Sequence, residues 1–247
     1  MKKFCFIILL SCLYISTHAA IKVGTPNYDP PFVLDDPANG VSGFDIDYMK
    51  KICDHLKWEC TFVPMKYSKL SAALQDNQID FAVGALIISP DKQQDFLFSI
   101  PYLISEAGFL VKIDSPITKV SDLEGKSVGA MDGKAYITYL QEHFGNKMTV
   151  VPYNFFNLIA LDLQNEKINA IFMNYMSALY IQHQYPDKIT ILNEHFPVGE
   201  GIGIMTLPAN KDKIDQINKV ILQFQGDGTF ADLYNYNFEF FIRQPKK

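Results

Sequence analysis

The residues that most constrain this chain are 81–102, FAVGALIISPDKQQDFLFSIPY. Residues 81–88 form an unbroken apolar run, which suits a strand covered on both faces, as in a parallel sheet. Ser89, Pro90 and Asp91 then read as a helix start, with a hydroxyl N-cap, proline in the first helical position and an acid in the first turn. Strand, tight turn and helix N-terminus in succession leave backbone N–H groups unpaired at the carboxyl end of a sheet. Open α/β folds bind small ligands there.

The rest of the chain alternates in the same way. Strands are expected at 21–25, 61–65, 107–113, 150–153, 168–173 and 189–192, with helical patterns at 45–56, 68–77, 135–144, 157–166 and 174–185 between them. Asp45 reads as a helix N-cap because Ile46, Met49, Ile52, Cys53 and Leu56 follow at helical spacing. Ser68 reads as the cap of the next helix. Short spacing between strands and helices predicts βαβ units around mainly parallel sheets. Pro26, Pro30 and Pro31 keep the loop after the first strand out of helix. Two final helices, 211–225 and 229–238, are separated by a Gly226-Asp227-Gly228 stop and restart.

The first 20 residues differ from the rest. Lys2 and Lys3 precede an apolar run over 4–15 and a small-residue end, Thr17-His18-Ala19, the pattern of a cleaved secretory leader. The run is too short for a membrane span, which needs about 20 apolar residues. A second reading makes Leu10-Ser11-Cys12 a lipoprotein signal, with Cys12 acylated. Removal of the leader takes two lysines from the 22 basic residues and leaves the 27 acids untouched, a formal charge of −7. With no basic stripe, nucleic acid is not an expected partner. Cys53 and Cys60 remain, and an isolated pair in an oxidising compartment is expected to form a disulfide, with two separate buried thiols as the other reading. His55, His143, His183 and His195 are scattered, so no metal site is expected.

The run over 81–102 resembles the type 3 extracellular solute-binding proteins, polar amino-acid receptors of ABC importers. Ser89, Pro90 and Asp91 match the family's hydroxyl turn, and Phe98, Ser99, Pro101 and Tyr102 match its Phe-Ser-x-Pro-Tyr tail. The 41–47 segment, VSGFDID, is close to the family's GFDxD, and Gly226-Asp227-Gly228-Thr229 to its GDGT. The resemblance covers residues 21–240 and strengthens the Cys53–Cys60 pairing. It implies the type II periplasmic-binding-protein fold: two α/β lobes, 21–106 with 200–247 and 107–199, joined by two hinge strands near 104–110 and 194–203.

What the resemblance implies for the site is a ligand held by Tyr28, Tyr67, Ile87, Ser89, Lys92, Gly133, Lys134 and Asn174. Several of these depart from the family. Lys92 stands where an arginine grips the ligand carboxylate, Asn174 where an aspartate takes its ammonium, and Lys134 and Ala135 replace the hydroxyl residues after Gly133. Tyr28 sits one place early, and Asp29 occupies the usual aromatic position. Lysine meets a carboxylate as a point charge, without the guanidinium's fork. Asparagine supplies no charge for an ammonium, and Asn174 also reads as a helix N-cap.

The expectation is therefore a more positive pocket than the family norm, for an anionic or carboxylate-bearing molecule rather than a standard basic amino acid. The implied partner is an inner-membrane ABC permease, the compartment the periplasm, the state monomeric, and no cofactor is implied. Two other classes remain: a secreted sensor or interaction protein, and an enzyme similar to cyclohexadienyl dehydratase, for which Lys92 and Glu200 would be the acid–base candidates. No nucleophile–base arrangement supports the latter.

Overall fold

The computed structural model describes residues 20–36 and 40–242. The expected leader, with Cys12, lies outside the described residues apart from Ala20. Among the described residues no helix is long and apolar enough to cross a membrane.

In chain order the elements are β1 (Ile21–Pro26), a ribbon of β2 (Leu34–Asp36) and β3 (Gly40–Ser42), α1 (Phe44–Leu56), β4 (Cys60–Met65), α2 (Leu70–Gln75), β5 (Phe81–Ala82), β6 (Leu97–Phe98), β7 (Glu106–Lys112), β8 (Ser127–Met131), α3 (Tyr136–Phe144), β9 (Thr149–Tyr153), α4 (Phe156–Gln164), β10 (Ala170–Asn174), α5 (Tyr175–Gln184), β11 (Ile189–Pro197), β12 (Met205–Thr206), α6 (Lys211–Asp227) and α7 (Thr229–Ile242).

The strands make two five-stranded sheets, ordered β4-β1-β5-β12-β6 and β11-β7-β10-β8-β9. Both are mixed. In each, one strand opposes its two neighbours: β12 runs antiparallel to β5 and β6, and β7 to β10 and β11. Those two strands are the ones that follow a crossing between the sheets. Residues 102–105 carry the chain out and 198–204 carry it back, and reversal of direction accompanies each passage. The crossings hold each other by backbone bonds, Tyr102 N–H to Ile202 O (3.0 Å), Ile202 N–H to Leu103 O (2.9 Å) and Val198 N–H to Ser105 O (3.0 Å).

Each sheet is covered on both faces, which is why its strands lack polar alternation. Val23, Phe81, Phe44, Ile52, Ile217 and Phe238 join the first sheet to α1, α6 and α7, and Leu70, Leu74 and Ile79 fill its other face under α2. On the second sheet Phe109, Phe172, Tyr136 and Leu140 pack beneath α3, while Ile159, Leu163, Ile171 and Ile181 pack beneath α4 and α5. The Cys53–Cys60 disulfide ties the end of α1 to the start of β4, with Cα atoms 6.2 Å apart. That decides between the two readings of the cysteines.

Four local expectations fail. The 81–88 run is a strand only over Phe81–Ala82. Gly84 (φ 125°) and Ala85 (φ 48°) then enter the left-handed region and bend the chain out of the sheet. After Pro90 there is a single 3₁₀ turn, Lys92–Gln94, in place of a helix. Asp45 does not cap α1: Gly43 holds the N-cap position, and Asp45 lies in the first turn, 1% exposed, with its carboxylate committed elsewhere. Similarly, a 3₁₀ turn over Tyr67–Lys69 precedes α2, so Ser68 does not cap that helix.

Candidate site in the cleft between the two sheets

The site begins with the bend after β5. Oδ2 of Asp45 accepts the N–H groups of Gly84 (2.9 Å) and Ala85 (2.7 Å), two donors that the bend removes from the ladder. A carboxylate serving buried amides satisfies groups that would otherwise be costly to bury. Burial pushes its carboxyl up to about 6, against the opposing pull of those same hydrogen bonds. A side chain at Gly84 would meet the Pro26 ring, so only glycine lets the bend lie against β1. Beyond the bend, Ile87 bridges Ile202 and the Ile88 N–H donates to Gly201 O (2.9 Å), which ties residues 87–88 to the returning crossing. The chain is thereby aimed at the space between the sheets.

Lys92 lies there, its Nζ donating to Ser71 Oγ at 3.0 Å. It lines a cavity of ≈ 80 Å³ with Tyr67, Ser68, Ser71, Ile87 and Gly133. Ser89 is buried beside it, but its hydroxyl donates to the Asp91 carboxylate and caps no helix. Gly133, from the loop after β8, takes φ 80°, and a Cβ placed on it would lie 3.2 Å from Ser68 Cα. The two halves of the molecule therefore touch at this wall. A second cavity of ≈ 190 Å³ shares Tyr67 with the first and is lined also by Asn27, Tyr28, Lys66, Asn154, Phe155 and Phe156. Tyr28 packs 6.1 Å from Phe156, centroid to centroid, and is 44% exposed.

Lys134 stands one residue beyond Gly133, and its side chain is buried to 4% exposure. Its Nζ forms an ion pair with the Asp29 carboxylate, which comes from the proline-rich loop of the first half and is 13% exposed. The same ammonium lies 4.8 Å from the ring centre of Tyr67 and 5.7 Å from that of Tyr136. Both distances are within cation–π range. Burial pushes the Asp29 carboxyl up, and attraction to Lys134 partly offsets this. Asn174 is 2% exposed and its Oδ1 accepts from the N–H groups of Met176 (2.8 Å) and Ser177 (3.3 Å), so it is the N-cap of α5.

Residues 21–240 match the bacterial extracellular solute-binding proteins, family 3. The chain belongs to that family. It is 29% identical over 239 residues to the arginine-binding periplasmic protein of Mannheimia haemolytica, covering 95% of this chain and 98% of that one. A crystal structure of an arginine transport-system periplasmic binding protein from Legionella pneumophila superposes with a TM-score of 0.85 at 30% identity, over 90% of this chain and all of that one. An ancestral arginine-binding protein bound to arginine gives 0.82 at 27% identity, over 90% and 99% of the two chains.

Within this solute-binding protein the structure gathers Tyr67, Ile87, Lys92 and Gly133 at one cavity and Tyr28 with Tyr67 at the other. Lys134 lies against Tyr67, while Ser89 and Asn174 serve the backbone and neighbouring side chains around the cleft. Several participants carry no role that the sequence alone assigns: Asp29, Ser71, Tyr136, Lys66, Phe155 and Phe156. Asp29 was visible only as a carboxylate in an aromatic's place, and its partner is 105 residues away. The expectation of a pocket more positive than the family norm counts Lys134, whose charge Asp29 compensates.

Proposed function

We propose that this solute-binding protein serves an ABC importer in the periplasm, capturing an amino acid or related small carboxylate between two lobes, 21–106 with 200–247 and 107–199. Hinge closure about the paired crossings brings the Gly133 loop onto Tyr67 and Ser68. The mature chain acts as a monomer after its leader is cleaved, hands its ligand to a membrane permease, and turns nothing over. The observation that carries the reading is Lys92. Its ammonium faces a cavity where the two halves meet, and among the described residues its partner is the neutral Ser71 hydroxyl. A ligand carboxylate there would meet an uncompensated cation, and Ser68, Ser71 and the Gly133 backbone would supply further polar contacts.

Relatives named for arginine support the amino-acid class. Calorimetric titration of residues 21–247 with the twenty amino acids tests it. We expect micromolar or tighter binding of at least one, weakened about tenfold or more by Lys92→Met, since a charge-assisted bond contributes about 1.5–3 kcal/mol. Failure of all twenty to bind, or binding unaffected by Lys92→Met, would overturn the proposal.

A further inference from the structure

A cation that enters a receptor cleft needs a counter-charge and, commonly, an aromatic face. This cleft contains such a seat. Asp29 supplies the carboxylate and Tyr67 and Tyr136 the rings, but the occupant is the protein's own Lys134 ammonium. Among the described residues, neither cavity is lined by an acid, and the charged side chains that line them are Lys92 and Lys66. The carboxylate beneath these rings, Asp29, is already paired, and Asp91 near Tyr67 accepts from the Ser89 hydroxyl.

We infer that Lys134 is a resident cation that sets specificity by excluding ligands with positively charged side chains and reserving the cleft for carboxylates whose side chains are uncharged. The inference rests on the amino-acid reading above and names the class of ligand. A ligand ammonium or guanidinium could reach Asp29 only by displacing Lys134. That competitor is tethered, so its effective concentration is far above that of any free solute. Sharing is also unfavourable, because two cations at one buried carboxylate leave one charge uncompensated. An uncharged group meets no such obstacle. Past Tyr67 it reaches the second cavity, where Tyr28, Phe155 and Phe156 offer apolar faces and Asn27, Asn154 and Asn157 offer amides. Truncation of Lys134 should leave a vacant cation seat and reverse the preference.

Arginine and citrulline share a shape and differ in charge, so they make the test. The wild-type protein, titrated calorimetrically, should bind L-citrulline at least as tightly as L-arginine. Lys134→Ala should favour L-arginine by about tenfold or more. Lys134→Met, which fills the seat without a charge, should not gain arginine. A readout independent of amino-acid binding is thermal unfolding with n-butylammonium chloride against equal sodium chloride. The salt should raise the Tm of Lys134→Ala and leave the wild type unchanged.

A wild type that prefers arginine by tenfold, or a Lys134→Ala protein indifferent to both arginine and butylammonium, would overturn the resident-cation assignment. Should neither protein bind any amino acid while Lys134→Ala alone responds to butylammonium, the amino-acid reading falls and the resident cation stands. If Lys134→Ala does not fold, the wild-type arginine-to-citrulline ratio decides.

Discussion

Lys92 and Lys134 lie on opposite walls of one cleft and meet opposite surroundings. Lys134 comes from the second half of the molecule and is closed in by a carboxylate and two rings from both halves. Lys92 comes from the first half and leans on a neutral hydroxyl at the edge of a cavity. The charge of Lys134 is committed to its own carboxylate, which it withholds from any other cation, whereas that of Lys92 is open to a ligand. A count of lysines near the cleft would overstate the usable charge. The partners decide, and each lysine depends on a buried acid: Asp29 neutralises Lys134 directly, and Asp45 holds the bend that delivers Lys92.

The hardest blow to this contrast falls on the Asp29 side. Asp29→Ala leaves the Lys134 ammonium buried without a counter-charge, and removal of one partner of a buried pair costs about 3–5 kcal/mol. Urea denaturation should show that loss, and the double variant Asp29→Ala with Lys134→Met should recover most of it. If the single variant loses under about 1 kcal/mol, the pair is not buried in solution and the contrast dissolves.

On the Lys92 side the corresponding test is a titration. Asp45 has a folded-state pKa raised from 3.8 to about 6, so it holds its proton more tightly in the native protein than in the unfolded chain. The stability this contributes is fully present below pH 3.8 and is lost as pH rises through about 6. The size is ~3 kcal/mol, from about 1.4 kcal/mol per pKa unit. Asparagine can still accept from Gly84 and Ala85, so Asp45→Asn should flatten that part of the stability curve while the bend survives. An unchanged pH slope in the variant would show that Asp45 titrates normally.

Much of the fold was legible because its signals are local. Helical spacing placed α1, α3, α6 and α7 within a residue or a few, and the lone pair of mature cysteines was enough to suggest the bridge. The strand directions were less so: β7 and β12 are reversed by crossings that leave no periodic mark. At the site Ser89 is misread because its hydroxyl turns to Asp91 two residues on, and the other misreadings share one cause, long-range pairing. Asp45 looks like a cap because Ile46, Met49, Ile52 and Leu56 follow it at helical spacing, yet it serves amides about 40 residues on. The apolar run over 81–88 looks like one strand because nothing local announces that Asp45 will hold Ala85 at φ 48°. Lys134 and Asp29 were each seen as departures from a pattern, and only the fold shows that the two departures answer one another.

A smaller effect is expected where the two walls touch. Gly133→Ala puts a side chain at φ 80°, at a cost of about 1–2 kcal/mol in the left-handed region, and brings its Cβ to 3.2 Å from Ser68 Cα. The disturbance thus falls both on the loop and on the contact across the cleft. Ligand binding should weaken along with stability, and small-angle scattering should report a wider average separation of the lobes. A loss of stability with no change in binding would place the Gly133 contact outside the closing movement.

The smallest effect belongs to Lys92 itself. Its bond to Ser71 joins a partly exposed ammonium to a hydroxyl that water can serve equally well, so the exchange on folding is nearly even. Lys92→Met should therefore change unfolding free energy by less than about 0.5 kcal/mol, the range of ordinary surface substitutions. Affinity for a carboxylate ligand should fall by far more, because the charge-assisted bond exists only in the complex. That split separates a side chain kept for a ligand from one kept for the fold. If Lys92→Met instead costs as much stability as Asp29→Ala, the two lysines are alike after all, and the charge offered to a ligand must come from elsewhere in the cleft.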